Sequence, residues 1–266
     1  MKLFDAHCHL DDPRIVHQSS SHLEAARSAG VRRFVLAGYS PERWPQQQQI
    51  VSSNTDCFAT YGLHPWFVAE EGSDGVAKGL ASISAWLDSE ESSDVVGVGE
   101  FGLDRSSPEL LELWELQVEV FRALLGLARE RNLPIVLHIV RAHNEALALL
   151  KGDGLPKAGG MVHGFSGSLE LAQLYVRLGL KISVGGAVTF PNRKKLRRAV
   201  ASLESVHLLS ESDSPDQAPH AWKEEWNEPS SLSLIVPTMA AIRDEDSTAF
   251  AAQLYSNSLA LFALEE

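Results

Sequence analysis

What this 266-residue chain lacks narrows its possibilities first. It has only two cysteines, Cys8 and Cys57. Both sit in strand-like apolar runs, so they read as reduced core residues of a reducing compartment, not as a disulfide. No apolar run approaches the ~20 residues a membrane helix needs. The N-terminal segment shows no charged-then-apolar signal region. A cytoplasmic location away from membranes is therefore the expectation. Repeats, linkers and low-complexity tracts are missing. Positive charge is scarce: 23 Lys and Arg face 35 Asp and Glu, a net charge of -12. An acidic protein repels nucleic acid at long range, so any polyanion must be held locally by metal ions or a few basic residues. This argues against a passive DNA-binding module and leaves a metal-dependent nuclease open. The Gly-rich first turn of a doubly wound nucleotide-binding sheet is also missing.

What is present is a regular alternation of short apolar runs and helical patterns. Strands are expected at Leu3–His7, Arg33–Ala37, Cys57–Gly62, Val95–Gly99, Pro134–His138, Gly160–His163, Lys181–Val184 and Val206–Leu209. Helical spacing is clearest from Pro108 to Arg131, where Leu110, Leu113, Trp114, Gln117, Val120, Phe121, Leu124 and Leu125 repeat. Further helices are expected at Ser21–Ala29, Pro41–Val51, Gly79–Leu87, Ala142–Leu150, Leu169–Leu178, Arg193–Leu203, Ser230–Ile242 and Ser247–Leu261. Eight strands alternating with helices predict parallel strands closed into a (β/α)8 TIM barrel, one domain over residues 1–266. The Pro-, Trp- and charge-rich segment Asp213–Pro229 reads as a long functional loop after the last strand.

Catalytic groups of such barrels gather at the C-terminal strand ends. Here His7 and His9 leave strand 1 on one face, because residues two apart in a strand point the same way. Strand 4 ends in Glu100, strand 5 in His138, strand 6 in His163, and strand 8 leads to Asp213. Singly, each has a duller reading: Glu100 paired with an arginine, Asp213 capping a turn before Pro215, His138 and His163 as hydrogen-bonded core histidines. Their recurrence at matching strand ends favours metal binding. Six ligands exceed what one catalytic ion with an open position accepts. Two divalent ions (Mg, Mn or Zn) with Glu100 as the bridge account for the number. Two ions roughly 3.5–4 Å apart can hold a hydroxide and clamp the oxygens of a hydrolysed ester. Asp213 would orient or deprotonate the attacking water. His64, ahead of Pro65, is expected to contact substrate or support a ligand. Arg105, Arg141, Ser166 and Arg193 are candidate phosphate contacts or simply solvated surface.

His7-Cys8-His9, Gly62-Leu63-His64-Pro65, Gly99-Glu100-Phe101-Gly102-Leu103-Asp104, His163-Gly164-Phe165-Ser166-Gly167-Ser168 and Ser212-Asp213-Ser214-Pro215 together resemble the ordered motifs of the TatD family. The likeness covers nearly the whole chain, and Met161 to Pro191 resembles its YjjV-type bacterial subgroup. The resemblance implies an amidohydrolase-like barrel, and metal-dependent hydrolysis of DNA phosphodiesters, with exonuclease action on single strands. It also implies that His7, His9 and Asp213 hold one ion, that His138 and His163 hold the other, and that Glu100 bridges them. Departures lie at Ser212 (usually Thr), Trp226 before Asn227-Glu228-Pro229 (often Arg), Arg105 (commonly aromatic) and Ile139 (usually small and polar). They surround the expected pocket and put substrate identity in question.

Three functions compete. A metal-dependent deoxyribonuclease acting on DNA leads. A hydrolase of small esters, lactones or amides would use the same ions to polarise a carbonyl. A non-enzymatic, metal-stabilised subunit would present Trp222 and Trp226 as an interface. No protein partner is required by the first two.

Overall fold

The computed structural model describes residues 1–88 and 94–265. Among the described residues, eight strands lie in one sheet whose order is the chain order, β1 to β8. Helices alternate with them, the (β/α)8 arrangement expected. The chain condenses into two compact units, Met1–Leu36 with His163–Glu266, and Ala37–Val162.

The first unit holds β1 (Leu3–Cys8), α1 (Ser19–Ser28) and β2 (Val31–Ala37, ending at the boundary). All six residues of β1 are buried, as a parallel strand covered on both faces requires. β1 and β2 run parallel with a register irregularity between Asp5 and Cys8. That irregularity falls at His7, and such bulges re-aim side chains. Farther along lie α7 (Leu169–Arg177), β7 (Leu180–Val184), α8 (Lys194–Ser202) and β8 (Leu208–Ser210). Two closing helices, α9 (Leu232–Arg243) and α10 (Ser247–Leu261), follow. Asp5, fully buried in β1, accepts hydrogen bonds from the Ser212 backbone N–H (2.8 Å) and hydroxyl (2.6 Å). Burial pushes its carboxyl up to about 8, against the pull of those hydrogen bonds. The first strand is thereby tied to the segment after the last.

The long loop after β8 is organised by Asn227. Its Nδ2 donates to the carbonyls of Ser212 (2.7 Å) and Asp216 (2.8 Å), and its Oδ1 accepts from the Glu228 N–H (3.0 Å). The side chain is fully buried. Asn227→Ala leaves these groups without partners and is expected to cost on the order of 2–3 kcal/mol. A denaturant midpoint equal to that of the wild type would show that solvent replaces the lost bonds.

The second unit holds α2 (Trp44–Ser52), β3 (Cys57–Tyr61), α3 (Pro65–Leu87), β4 (Val95–Asp104) and the short α4 (Pro108–Glu112). It continues through α5 (Trp114–Arg131), β5 (Ile135–Val140), α6 (His143–Asp153) and β6 (Gly160–Val162). β3 to β6 pair in parallel. Trp86 packs edge to face against Trp44 and Tyr61, two core rings tilted against each other.

Most element ends shift by one to three residues from those expected, and three differences matter for the site and its surroundings. β4 runs on to Asp104, so Glu100 is inside the strand and not at its end. Gly102 permits this, since a Cβ there would lie 1.7 Å from the His138 carbonyl oxygen of β5. Three β4 steps from Val98 to Phe101 oppose two β5 steps from Ile135 to Leu137, so Glu100 sits at an irregularity of the ladder. The helix expected over Pro108–Arg131 is interrupted at Leu113. Gln117 Nε2 donates to the Leu110 carbonyl (2.6 Å), the acceptor that the Trp114 N–H would use in a continuous helix. The helix expected at Gly79–Leu87 begins at Pro65, with Gly72 at φ 60 marking a kink between two helical stretches.

Candidate metal centres

Two groups of histidines and carboxylates stand at the C-terminal side of these strands, one in each unit. In the first, the backbone aligns the ligating side chains. The Asp213 N–H donates to the His7 carbonyl (3.0 Å), and the His9 N–H donates to the Ser214 carbonyl (2.7 Å). Asp213 sits at φ 54, a left-handed conformation that Asp adopts more readily than most residues. His7 Nε2 and His9 Nε2 are 3.1 Å apart. Asp213 Oδ1 lies 3.5 Å from the first and 3.7 Å from the second, while its Oδ2 accepts from Gln217 Nε2 (2.5 Å). The His163 ring stacks on His7, centroids 4.0 Å apart.

Glu211 belongs to this group as well, although the sequence reading passed over it. It is fully buried; one oxygen accepts from the Gly164 N–H (2.5 Å) and lies 3.9 Å from His163 Nδ1. Burial above all, together with Asp213, holds its carboxyl up to about 7, with His163 pulling the other way. A signal existed: Glu211 and Asp213 are two apart, the same one-face spacing that singled out His7 and His9.

In the second unit, His64, Glu100 and His138 converge. Glu100 Oε1 lies 2.9 Å from His138 Nδ1 and 3.3 Å from His64 Nε2. On its other side, His138 Nε2 reaches Asp104 Oδ2 at 3.2 Å. Asp104, also unassigned from sequence, accepts the Ser106 N–H (2.7 Å) and is fixed through Gln117. Tyr39 stacks on His64 at 4.8 Å, and Arg43 covers Tyr39 at 4.1 Å.

The donor sets suit a divalent ion. Ligand atoms of His7, His9 and Asp213, of His7, His163 and Glu211, and of His64, Glu100 and His138 each lie within 4.8 Å of one another. Buried imidazole and carboxylate donors with convergent lone pairs are what zinc, manganese or iron sites use, and carboxylates also serve magnesium.

The protonation of His138 gives this a measurable consequence. Burial alone would lower its pKa, but hydrogen bonds to Asp104 and Glu100 outweigh burial and raise it to about 9. In the metal-free protein this contributes stability that is fully present below the unfolded value near 6.5 and is lost as pH rises through about 9. A metal that takes the Glu100-facing nitrogen must displace a proton. Affinity at this group is therefore expected to rise with pH and level off near 9. Calorimetry in buffers of different ionisation enthalpy should record about one proton released per ion at pH 7. Binding without proton release would overturn this.

The expected substrate contacts are differently placed. Arg141 and Ser166 are exposed, as is Arg193 at the start of α8. Arg105 is engaged: it pairs with Glu145 (2.6 Å) and lies 3.8 Å over the Trp114 ring. Trp222 donates to the Trp226 carbonyl (2.8 Å), and Arg14, salt-bridged to Asp12 and Asp216, lies over Trp226. Among the described residues no helix is long and apolar enough to cross a membrane.

Known proteins resemble this chain in sequence and fold over nearly its whole length. The uncharacterized metal-dependent hydrolase YjjV of Escherichia coli K12 is 32% identical over 261 residues, 98% of each chain. The 3'-5' ssDNA/RNA exonuclease TatD of Pantoea ananatis is 30% identical over 269 residues, 98% of this chain and 100% of that one. The crystal structure of the E. coli YjjV TatD homolog superposes with a TM-score of 0.92, covering 99% of this chain and 98% of that one at 32% identity. Residues 4–263 match the sequence model of the TatD related DNase family, and with that span the chain belongs to this family of metal-dependent hydrolases.

Proposed function

We propose that the protein is a divalent-metal-dependent deoxyribonuclease that hydrolyses phosphodiester bonds of single-stranded DNA from an end. The observation that carries this reading is the pairing of His7 and His9 with Asp213 Oδ1, all within 3.7 Å, under a backbone clamp. His7, His9 and Asp213 would hold one ion, and His138 and His163 would serve a second, with Glu100 as the shared carboxylate the sequence motifs assign. When bound there, divalent ions would lower the pKa of a water and offset negative charge on a phosphoryl group. The Asp213 carboxylate would orient the attacking water and accept its proton.

Exposed Arg141, Ser166 and Arg193 are the groups proposed to meet phosphates. The Arg105 guanidinium is already paired with Glu145, so Arg105 is proposed to shape the pocket wall near Trp114. The exonuclease name of the Pantoea relative supports the substrate class. We place the activity in the cytoplasm because Cys8 and Cys57 are buried thiols of the core, as a reducing compartment favours.

The test is cleavage of an end-labelled single-stranded DNA by metal-stripped protein re-supplied with magnesium, manganese or zinc, beside Glu100→Ala. Metal-restored cleavage that the variant lacks is expected. Intact DNA with every ion, alongside turnover of small esters, would replace this reading with small-molecule hydrolysis.

A further inference from the structure

His64 is one of three residues close enough to hold an ion in the second unit, yet its surroundings assign it a different task. It is the N-cap residue of α3, at φ -64 and ψ 146. The next residue, Pro65, has no N–H to offer. The first donor available to the cap is the Trp66 N–H, and His64 Nδ1 accepts it at 3.0 Å. The backbone of His64 is fixed too: its N–H donates to the Tyr39 carbonyl (3.0 Å), and its carbonyl accepts from Val68 (3.1 Å). Tyr39 stacks against the ring at an interplanar angle of 15°. The side chain has little freedom to turn over.

An imidazole nitrogen accepts a hydrogen bond only through its in-plane lone pair. With Nδ1 accepting, the neutral ring carries its proton on Nε2. That atom faces Glu100 Oε1 at 3.3 Å and His138 Nδ1 at 3.3 Å. A histidine ligand needs a bare lone pair toward the metal, and here the lone pair is spent on the helix start. Ligation through Nε2 would require the ring to surrender its only proton or to release the cap.

We infer that His64 is a tautomer-locked positioning residue: the first turn of α3 holds its Nε2–H toward the Glu100 carboxylate, and His64 is not a metal ligand. The inference rests on the reading above that Glu100 holds metal. In that setting His138 supplies the lone pair, while His64 donates to the carboxylate and restrains its rotation. Hydrogen bonds of this kind to a ligating carboxylate typically carry a 10–100-fold share of metal affinity.

Histidine-labelled full-length protein, read by long-range proton–nitrogen correlation spectra with and without zinc, tests this directly. His64 is identified as the signal set lost in His64→Asn. The Nε2–H tautomer is expected in both states. An Nδ1–H tautomer, or loss of the Nε2 proton on adding zinc, would overturn the inference. Metal counting supplies the second arm. In His64→Asn the side-chain oxygen can still cap α3. This variant is expected to bind as many zinc ions as the wild type, about 10–100-fold more weakly at one of them. Loss of a whole ion would make His64 a ligand, and unchanged affinity would remove its role. A wild type that binds no metal would sink the proposed function, while the tautomer in the metal-free spectrum would still decide the inference.

Discussion

Asp213→Asn is expected to slow metal-dependent DNA cleavage by about 10²–10⁴-fold, the usual contribution of a positioned acid–base group. Asparagine is the informative replacement because the residue sits at φ 54, where Asn is comfortable and Ala is strained. The Asp213 N–H to the His7 carbonyl is a backbone bond, so the clamp survives. The amide can still meet Gln217. What is lost is the negative charge 3.5 Å from His7 Nε2 and 3.7 Å from His9 Nε2. Single-turnover rates at saturating metal isolate the chemical step. A loss below tenfold, with ions bound as in the wild type, would mean that another group handles the proton.

Asp104→Asn is expected to fail in a different way. Asp104 Oδ2 meets His138 Nε2 at 3.2 Å. Hydrogen bonds from His138 and Ser106 hold its carboxyl below the ordinary range despite its burial. A carboxylate behind a ligating histidine fixes the ring and makes it a better donor, and removing one costs about 10–100-fold in metal affinity. Excess metal should therefore restore the Asp104→Asn rate but leave the Asp213→Asn rate low. The contrast separates a residue that holds an ion in place from one that acts on the water. If excess metal gives Asp104→Asn no recovery, the His138–Asp104 pair serves the fold and not the ion.

Much of the architecture was legible because parallel strands covered on both faces read as near-continuous apolar runs; β1 is broken only by Asp5 and His7, and β5 only by His138. Legibility ended where a side chain or a glycine replaced an expected backbone feature. Gln117 takes the Leu110 carbonyl and divides one helical pattern into two. Gly102 lets β4 continue past Glu100 against β5. Neither event leaves a mark in hydrophobic periodicity. The acidic and imidazole residues stood out because they close the apolar runs of the sequence, but their partnerships did not. Asp104 closes the motif that begins at Gly99, and nothing local announces that it backs His138. Glu211 lay one alternation from Asp213 and was passed over. His64 precedes a proline, and nothing in that pair announces the ring nitrogen that caps α3.

The tie between Asp5 in the first strand and Ser212 after the last spans 207 positions, and it sets an order of assembly. Every member of the His64–Glu100–His138 group is present in the chain once residue 138 is made. The first strand emerges earlier still, but His7 and His9 must wait for Asp213 before their own group exists. From residue 163 until residue 213 is added, the nascent chain carries the residues proposed for one ion and only the two histidines of the other. The residue assigned to activate water is the last of the set to arrive, so hydrolysis cannot begin before four-fifths of the protein has been built.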